Sequence, residues 1–167
     1  MADLTLKYGC NPHQGNARLS SNSGTLPVKV LNGTPSYINI MDALTAWPLV
    51  RELQTNLGKV AAASFKHVSP AGAAIEGEVS GAFAKAQFLD APPQSAVASA
   101  YVRARGADRV SSFGDAAVVS APVNLELAEI LKGEVSDLIA APGFEPDALE
   151  LLKSKRRGGY LILQIDP

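Results

Sequence analysis

The amino-acid sequence predicts a single α/β domain over residues 1–167, with three layers (α/β/α) and a largely parallel or mixed sheet. Short apolar runs alternate along the chain with segments of helical periodicity. Apolar residues make up 47% and charged residues 19%, which is an ordinary globular composition. A chain of 167 residues is also long enough to bury one substantial core.

The first elements are short strands separated by turns. Residues 4–8 alternate weakly in polarity and predict a strand, and residues 9–15 contain the Gly and Asn-Pro signals of a turn. Residues 20–25 are rich in Ser, Asn and Gly and predict an exposed loop. Residues 28–31 predict a second strand, which Asn32 and Gly33 close with a turn.

A long amphipathic helix is predicted from Asn39, whose side chain can cap the free backbone N–H groups. Asp42 is expected in the first turn, where the helix dipole favours an acid. Apolar side chains recur at helical spacing at Ile40, Leu44, Trp47, Val50, Leu53 and Leu57. Pro48 lies inside this pattern and costs about 3 kcal/mol if its effect is not relieved. We expect the helix to form, with the break absorbed locally.

Residues 60–65 predict the central strand, and Lys66 and His67 follow it directly. Ser69 and Pro70 then have the character of a helix start, with a hydroxyl at the cap and proline at the first helical position. A strand, a polar pair and a helix N-terminus together predict a ligand crevice beyond the carboxyl ends of the strands.

The rest of the chain continues the alternation. Helices are predicted at residues 82–89, 94–105, from Pro122 or Asn124 to 131, and 145–157, and strands at residues 116–119, 135–140 and 160–164. The strand at residues 160–164 is expected at a sheet edge. Two possibilities remain open for it: a protected edge, or completion by another polypeptide or a second copy.

Charge and cysteine usage exclude several classes of protein. The net charge of −1 gives no basic excess for nucleic acid, and no apolar run approaches membrane-spanning length. The amino end lacks the features of a secretory signal, and the single cysteine, Cys10, has no partner for an internal disulfide, so we expect a cytoplasmic protein. One cysteine and two histidines predict no zinc site, and neither a dinucleotide-binding nor a P-loop motif occurs.

Lys66 and His67 are the strongest candidates for chemistry. Neighbouring residues on a regular strand point to opposite faces, so both can reach one pocket only if the strand ends near Phe65. Histidine titrates near neutral pH, so His67 is suited to accept a proton from an attacking amine, and Lys66 to stabilise an oxyanion or a phosphate. The alternative is a surface lysine beside a structural histidine.

Residues 64–74 (Ser-Phe-Lys-His-Val-Ser-Pro-Ala-Gly-Ala-Ala) resemble the signature of the aminoimidazole-carboxamide ribonucleotide (AICAR) formyltransferase domain of purine biosynthesis. The match extends, in the family's order, to residues 7–14, 30–33, 38–39, 42–44, 46–47, 103–109, 111–115, 134–137 and 141–143. The resemblance implies a cytidine-deaminase-like fold. It also implies transfer of a formyl group from 10-formyltetrahydrofolate, the co-substrate, to the 5-amino group of AICAR.

The same resemblance implies roles for individual residues. His67 matches the proton acceptor and Lys66 the residue that stabilises the transition state. The nucleotide-binding positions that match are Lys7, Tyr8, Gly9, Asn39, Gly114 and Asp137. Lys7 stands where many relatives carry arginine, which keeps the charge but loses the bidentate fork toward phosphate.

The length of the chain limits what the resemblance implies, because the family's domain is a duplicated α/β unit about twice as long. The chain corresponds to its first half, while the second half carries most of the folate pocket. Two functions therefore remain open: formyl transfer together with the second half, or a nucleotide-binding or assembly module without turnover. The expected partner is a second copy of the chain or a complementary second-half polypeptide.

Overall fold

The computed structural model describes residues 2–165, which form an α/β domain. The strands are β1 (Ala2–Leu6), β2 (Ala17–Ser21), β3 (Val28–Asn32), β4 (Ala61–Lys66), β5 (Ser69–Ile75), β6 (Asp115–Val119), β7 (Ser136–Ala141) and β8 (Leu161–Ile165). The α-helices are α1 (Tyr37–Leu57), α2 (Gly81–Ala86), α3 (Ala96–Ala107), α4 (Leu125–Gly133) and α5 (Pro146–Ser154), and a 3-10 turn spans Lys155–Gly158.

The main sheet is mixed, as predicted. Its six strands lie in the order β3-β8-β7-β6-β4-β5. Strands β6, β7 and β8 are parallel to one another, whereas β3, β4 and β5 pair antiparallel with their neighbours. Strands β1 and β2 form a separate antiparallel hairpin.

The sheet is covered on both faces, which confirms the predicted three layers. Helix α1 and the β1–β2 hairpin pack on one face, where Ala63, Val118 and Leu138 are buried. Helices α3, α4 and α5 pack on the other face, against Ala62 and Ile139. Successive residues of one strand therefore enter different cores, which explains why the central strands are apolar without alternation.

Helix α1 is continuous through Pro48, as expected, but its cap lies three residues earlier than predicted. Ser36 is the N-cap, its Oγ accepts from the Asn39 backbone N–H at 3.4 Å, and Asn39 Oδ1 accepts from the Ser36 N–H at 2.9 Å. This reciprocal pair is a capping box, so Asn39 occupies the third helical position. Asp42 consequently lies in the second turn and is buried.

The helix predicted after Ser69 is wrong, because residues 69–75 form strand β5. His67 and Val68 adopt left-handed conformations, with φ of 51° and 64°, and reverse the chain so that Lys66 pairs with Ser69. The small residues of this segment allow β5 to pack closely against α3. A Cβ at Gly72 would lie 2.1 Å from the carbonyl oxygen of Ala104, so only glycine fits there.

Three further predictions are corrected. Strand β8 lies between β3 and β7, so it is an interior strand, because β3 from early in the chain pairs with it. Strand β2 occupies residues 17–21, part of which was predicted as loop. Helix α5 ends at Ser154 rather than at residue 157.

None of the helices described within residues 2–165 combines the length and apolar character that crossing a membrane requires.

Candidate functional site

The candidate site lies where the carboxyl end of β4 meets the amino ends of β6, β7 and β8. Strand β4 runs antiparallel to β6, so Phe65 pairs with Ala116 and Lys66 lies beside the start of β6. We expected a crevice at the carboxyl ends of the strands. The parallel strands instead present their amino ends here, because β4 runs antiparallel to β6.

Lys66 is half-buried and held in a fixed position at this edge. Its Nζ donates hydrogen bonds of 2.9 Å to the carbonyl oxygens of Phe113 and Gly114. Gly114 has a φ of 73°, and a Cβ there would lie 2.8 Å from Lys66 Nζ. Glycine therefore permits both the left-handed backbone and the close approach of the ammonium group.

His67 occupies the first position of the hairpin loop and is exposed. The next residue, Val68, donates its backbone N–H to Asp42 Oδ1 at 2.5 Å. Burial raises the pKa of Asp42, while the Val68 hydrogen bond and the charges of His67 and Lys66 oppose that rise. The tight turn thus brings both predicted catalytic side chains into the electrostatic range of one carboxylate.

A cavity of about 300 Å³ lies on the other side of Asp137, between the start of α1 and the end of the 3-10 turn. Its lining includes four of the predicted substrate-binding residues, Lys7, Tyr8, Asn39 and Asp137, together with Arg156. Backbone hydrogen bonds from Lys7 N–H to the Pro35 oxygen and from Tyr37 N–H to the Tyr8 oxygen tie the segment to the helix start. The size is at the lower end for a small-molecule pocket.

Asp137 connects this cavity with Lys66. Its two carboxylate oxygens lie 3.8 and 3.9 Å from the position that a Cβ at Gly114 would take. Gly114 therefore borders the Lys66 side of Asp137 and is not among the cavity's lining residues. Gly9 is also outside that lining, and a Cβ there would meet Gln14 Oε1 at 3.1 Å.

Arg156 is a site residue that the sequence reasoning missed. Its Nη1 lies 2.9 Å from Asp137 Oδ1, and both side chains remain about half exposed. The available signal was the basic run at residues 155–157, which we assigned to the end of a helix. Arg156 instead adopts a left-handed conformation with φ of 53°, which directs the chain back toward β7.

The neighbouring Lys155 anchors this turn from inside the protein. It is buried, and its Nζ donates to the carbonyl oxygens of Leu131 and Glu134. Burial lowers the pKa of Lys155, against the opposing effect of Glu134. The consecutive basic residues therefore have different roles: Lys155 is structural, and Arg156 lines the cavity.

A buried ionic network lies beneath the site and supports the loop before β6. Arg105 Nη1 lies 2.9 Å from Asp115 Oδ1, as an ion pair rather than an aligned hydrogen bond, and Arg105 Nη2 lies 3.2 Å from Glu134 Oε2. Arg105 also donates to the Ser112 carbonyl oxygen at 2.7 Å. Burial raises the pKa of Asp115, and Arg105 opposes this rise. The network positions the carbonyl groups that hold Lys66.

Within residues 2–165, no group of three or more His, Cys, Asp or Glu side chains is arranged to hold a metal ion. The polar groups that the site offers are ammonium, guanidinium, imidazole and hydroxyl groups, which can donate hydrogen bonds, and carboxylates, which accept them. Such a set suits a polar organic anion.

Comparison with known proteins assigns the chain. The sequence model of the family described as AICARFT/IMPCHase bienzyme matches residues 1–167. The chain belongs to this family. Among similar proteins, the bifunctional purine biosynthesis protein PurH of Deinococcus radiodurans is 32% identical over 166 residues. PurH of Clostridium botulinum strain Hall is 35% identical over 158 residues.

These matches cover 92% of the chain but only 28% and 27% of the two relatives. The chain thus spans little more than a quarter of the PurH proteins it resembles.

Proposed function

We propose that the chain carries the Lys66–His67 part of an AICAR formyltransferase site. It would correspond to the first half of the formyltransferase domain and act together with a second-half polypeptide or a second copy. The observation that carries the proposal is that Gly114 approaches both the fixed Lys66 ammonium group and Asp137, and that Asp137 lines a cavity together with Lys7 and Arg156. Cytoplasmic location and a homodimer remain predictions.

The reaction is formyl transfer from 10-formyltetrahydrofolate. The 5-amino nitrogen of AICAR attacks the formyl carbon, the new C–N bond forms, and the bond from that carbon to folate N10 breaks. His67 accepts the proton that the amine loses and gives it to folate N10 as that nitrogen leaves. Lys66 stabilises the negative charge on the formyl oxygen of the tetrahedral intermediate. Both are needed because an aromatic amine beside a carboxamide is a weak nucleophile.

The cavity is suited to the nucleotide. Lys7 and Arg156 supply cations for the phosphate, and Asp137 suits a ribose hydroxyl. Tyr8 and the side-chain amide of Asn39 complete the polar lining, although Asn39 Oδ1 already accepts from Ser36. The family resemblance implies that most of the folate pocket belongs to the second half of the formyltransferase domain.

The alternative is a nucleotide-binding or assembly module without turnover. The cavity that carries the nucleotide-binding residues is lined by neither Lys66 nor His67, which favours this possibility. In that case Lys66 and His67 would contribute to binding alone.

Formyl transfer should be assayed with the purified chain, alone and mixed with a polypeptide that carries the remainder of the Deinococcus radiodurans PurH sequence. Activity in the mixture that is lost in Lys66→Ala and His67→Ala, and kept in His13→Ala, supports the enzyme. If every mixture is inactive but calorimetry shows that AICAR binds to the chain, the result supports the nucleotide-binding module without turnover. Neither activity nor binding at millimolar AICAR would refute both.

A further inference from the structure

Asp42 is a buried acid whose role neither the sequence pattern nor the proposed function assigns. It projects from the second turn of α1, is 7% exposed, and reaches the loop between β4 and β5. A carboxylate buried to this degree is costly unless it makes specific interactions. Its hydrogen-bonded partner is the Val68 backbone N–H, at 2.5 Å.

The loop that Asp42 contacts is strained. Two-residue hairpin loops with φ above zero at both positions favour Asn-Gly or Gly-Gly. Here the two positions are His67 and Val68, with φ of 51° and 64°. A β-branched residue in the left-handed region is a genuine outlier and persists only where surrounding contacts impose it. The Asp42 carboxylate provides such a contact directly to the second of the two residues.

We propose that Asp42 is a positioning residue that holds the His67–Val68 loop in its left-handed form and thereby sets Lys66 and His67 side by side at the candidate site. Its significance for catalysis rests on the proposed function, whereas its effect on the loop does not. Without this contact the loop relaxes toward φ below zero, and the direction of the His67 side chain changes with it.

Charge as well as hydrogen bonding contributes to this role. The groups that act electrostatically on Asp42 are His67 and Lys66, which stabilise its ionised form, and Asp137, which opposes it. An amide at position 42 would keep an oxygen acceptor for Val68 but lose the electrostatic interaction of the carboxylate with Lys66 and His67. The variants Asp42→Ala and Asp42→Asn therefore separate the two contributions.

The experiment is NMR spectroscopy of the chain, in which the two histidines, His67 and His13, give an internal comparison. In Asp42→Ala we expect the Val68 amide hydrogen to exchange with solvent at least about tenfold faster. The backbone HN–Hα couplings of His67 and Val68, which report φ, should no longer have the values of a left-handed conformation. The His67 ring resonances should move while those of His13 stay. Asp42→Asn should retain the Val68 amide protection but still move the His67 ring resonances.

Two further variants complete the design. Asp42→Ala combined with Val68→Gly should restore the left-handed loop, because glycine adopts this conformation without strain. Glu52→Ala, which removes an exposed acid from the same helix, should change neither histidine. Unchanged Val68 protection and unchanged His67 resonances in Asp42→Ala would overturn the proposal. If Asp42→Ala does not fold, Asp42→Ser, whose side chain is too short to reach Val68, takes its place, and unchanged Val68 protection in that variant would overturn the proposal.

The readouts above require neither AICAR nor folate, so they distinguish this proposal from the proposed function. If the complemented protein is active, Asp42→Ala should lower kcat by about tenfold with little change in KM, since it alters the position of the reacting groups rather than the nucleotide contacts. Inactive protein with the expected spectra would refute the enzyme and leave the positioning role intact.

Discussion

Lys66 and Gly114 approach each other so closely that a methyl group on Gly114 would lie 2.8 Å from Lys66 Nζ. The same ammonium group donates hydrogen bonds to the carbonyl oxygens of residues 113 and 114, and these bonds fix its position. The loop before β6 therefore determines where the charge of β4's last residue is presented. This relationship is the basis of the first prediction.

Gly114→Ala should displace the Lys66 ammonium group and weaken formyl transfer by at least about tenfold. It should also lose about 1–2 kcal/mol of stability, because alanine is strained at φ of 73°. The matched control is Gly24→Ala, where φ is 86° and a Cβ would meet nothing within 4 Å. The control should show a similar loss in urea unfolding and full activity. Equal activity in both variants would contradict the prediction.

Arg156→Gln should reduce affinity for AICAR by about tenfold, because a charge-assisted contact to phosphate is lost. Stability should change by less than about 1 kcal/mol, since the Arg156–Asp137 pair is about half exposed on both sides. Calorimetry with AICAR and with its nucleoside, which lacks the phosphate, measures the effect. A loss of affinity that is the same for the nucleoside would argue against a phosphate contact.

Arg105→Met should destabilise the domain by about 3–5 kcal/mol, because it leaves buried Asp115 without its cation, whereas Glu134 keeps its ion pair with Arg109. Adding Asp115→Asn should recover part of this loss in urea unfolding. Arg18→Met, which removes an exposed pair with Asp3, should cost less than about 1 kcal/mol. Additive losses in the Arg105/Asp115 double variant would show that the two residues are not coupled.

Glu126 gives a prediction about pH. Burial acts to raise its pKa, but hydrogen bonds from Ser95 and Gln94 outweigh that effect and lower it below the ordinary value of 4.5. A lowered folded-state pKa stabilises the protein above the unfolded value, and the contribution disappears as pH falls through the folded value. Glu126→Gln should therefore cost about 0.3–1 kcal/mol at pH 7, as for a charge at the start of α3.

The measurement is the free energy of unfolding of Glu126→Gln and the parent protein between pH 7 and the lowest pH at which both remain folded. The difference should shrink as pH falls below 4.5. A difference that stays constant with pH would show that the Glu126 charge contributes nothing and that hydrogen-bond geometry alone matters.

Most helices and strands could be predicted because their signals are local. The continuous helix through Pro48, the cap at Asn124 and the apolar run of β4 all depend on residues within a few positions of one another. The start of β5 was predicted wrongly for the same reason. Ser69 and Pro70 resemble a helix start locally, whereas contact of Gly72 with α3 selects the strand.

The candidate site could be predicted only in part. Lys66 and His67 came from their position at the end of the central strand, whereas Asp137 and Lys7 came from a family resemblance, and the last two line one cavity. Arg156 and Asp42 were missed because their roles depend on chain reversals at residues 155–158 and 67–68. Both reversals use non-glycine residues with positive φ, which leave no signal in the sequence.

The sequence by itself determined the α/β class, the order of most elements and the family, because local periodicity and motif spacing are properties of the chain alone. Only the tertiary structure decided that a hairpin follows Lys66, that β8 is interior, and that Asp42 and Arg156 face the site. These outcomes depend on pairing and packing between residues far apart in the chain. Such contacts outweigh local preferences when burial and hydrogen bonding favour them.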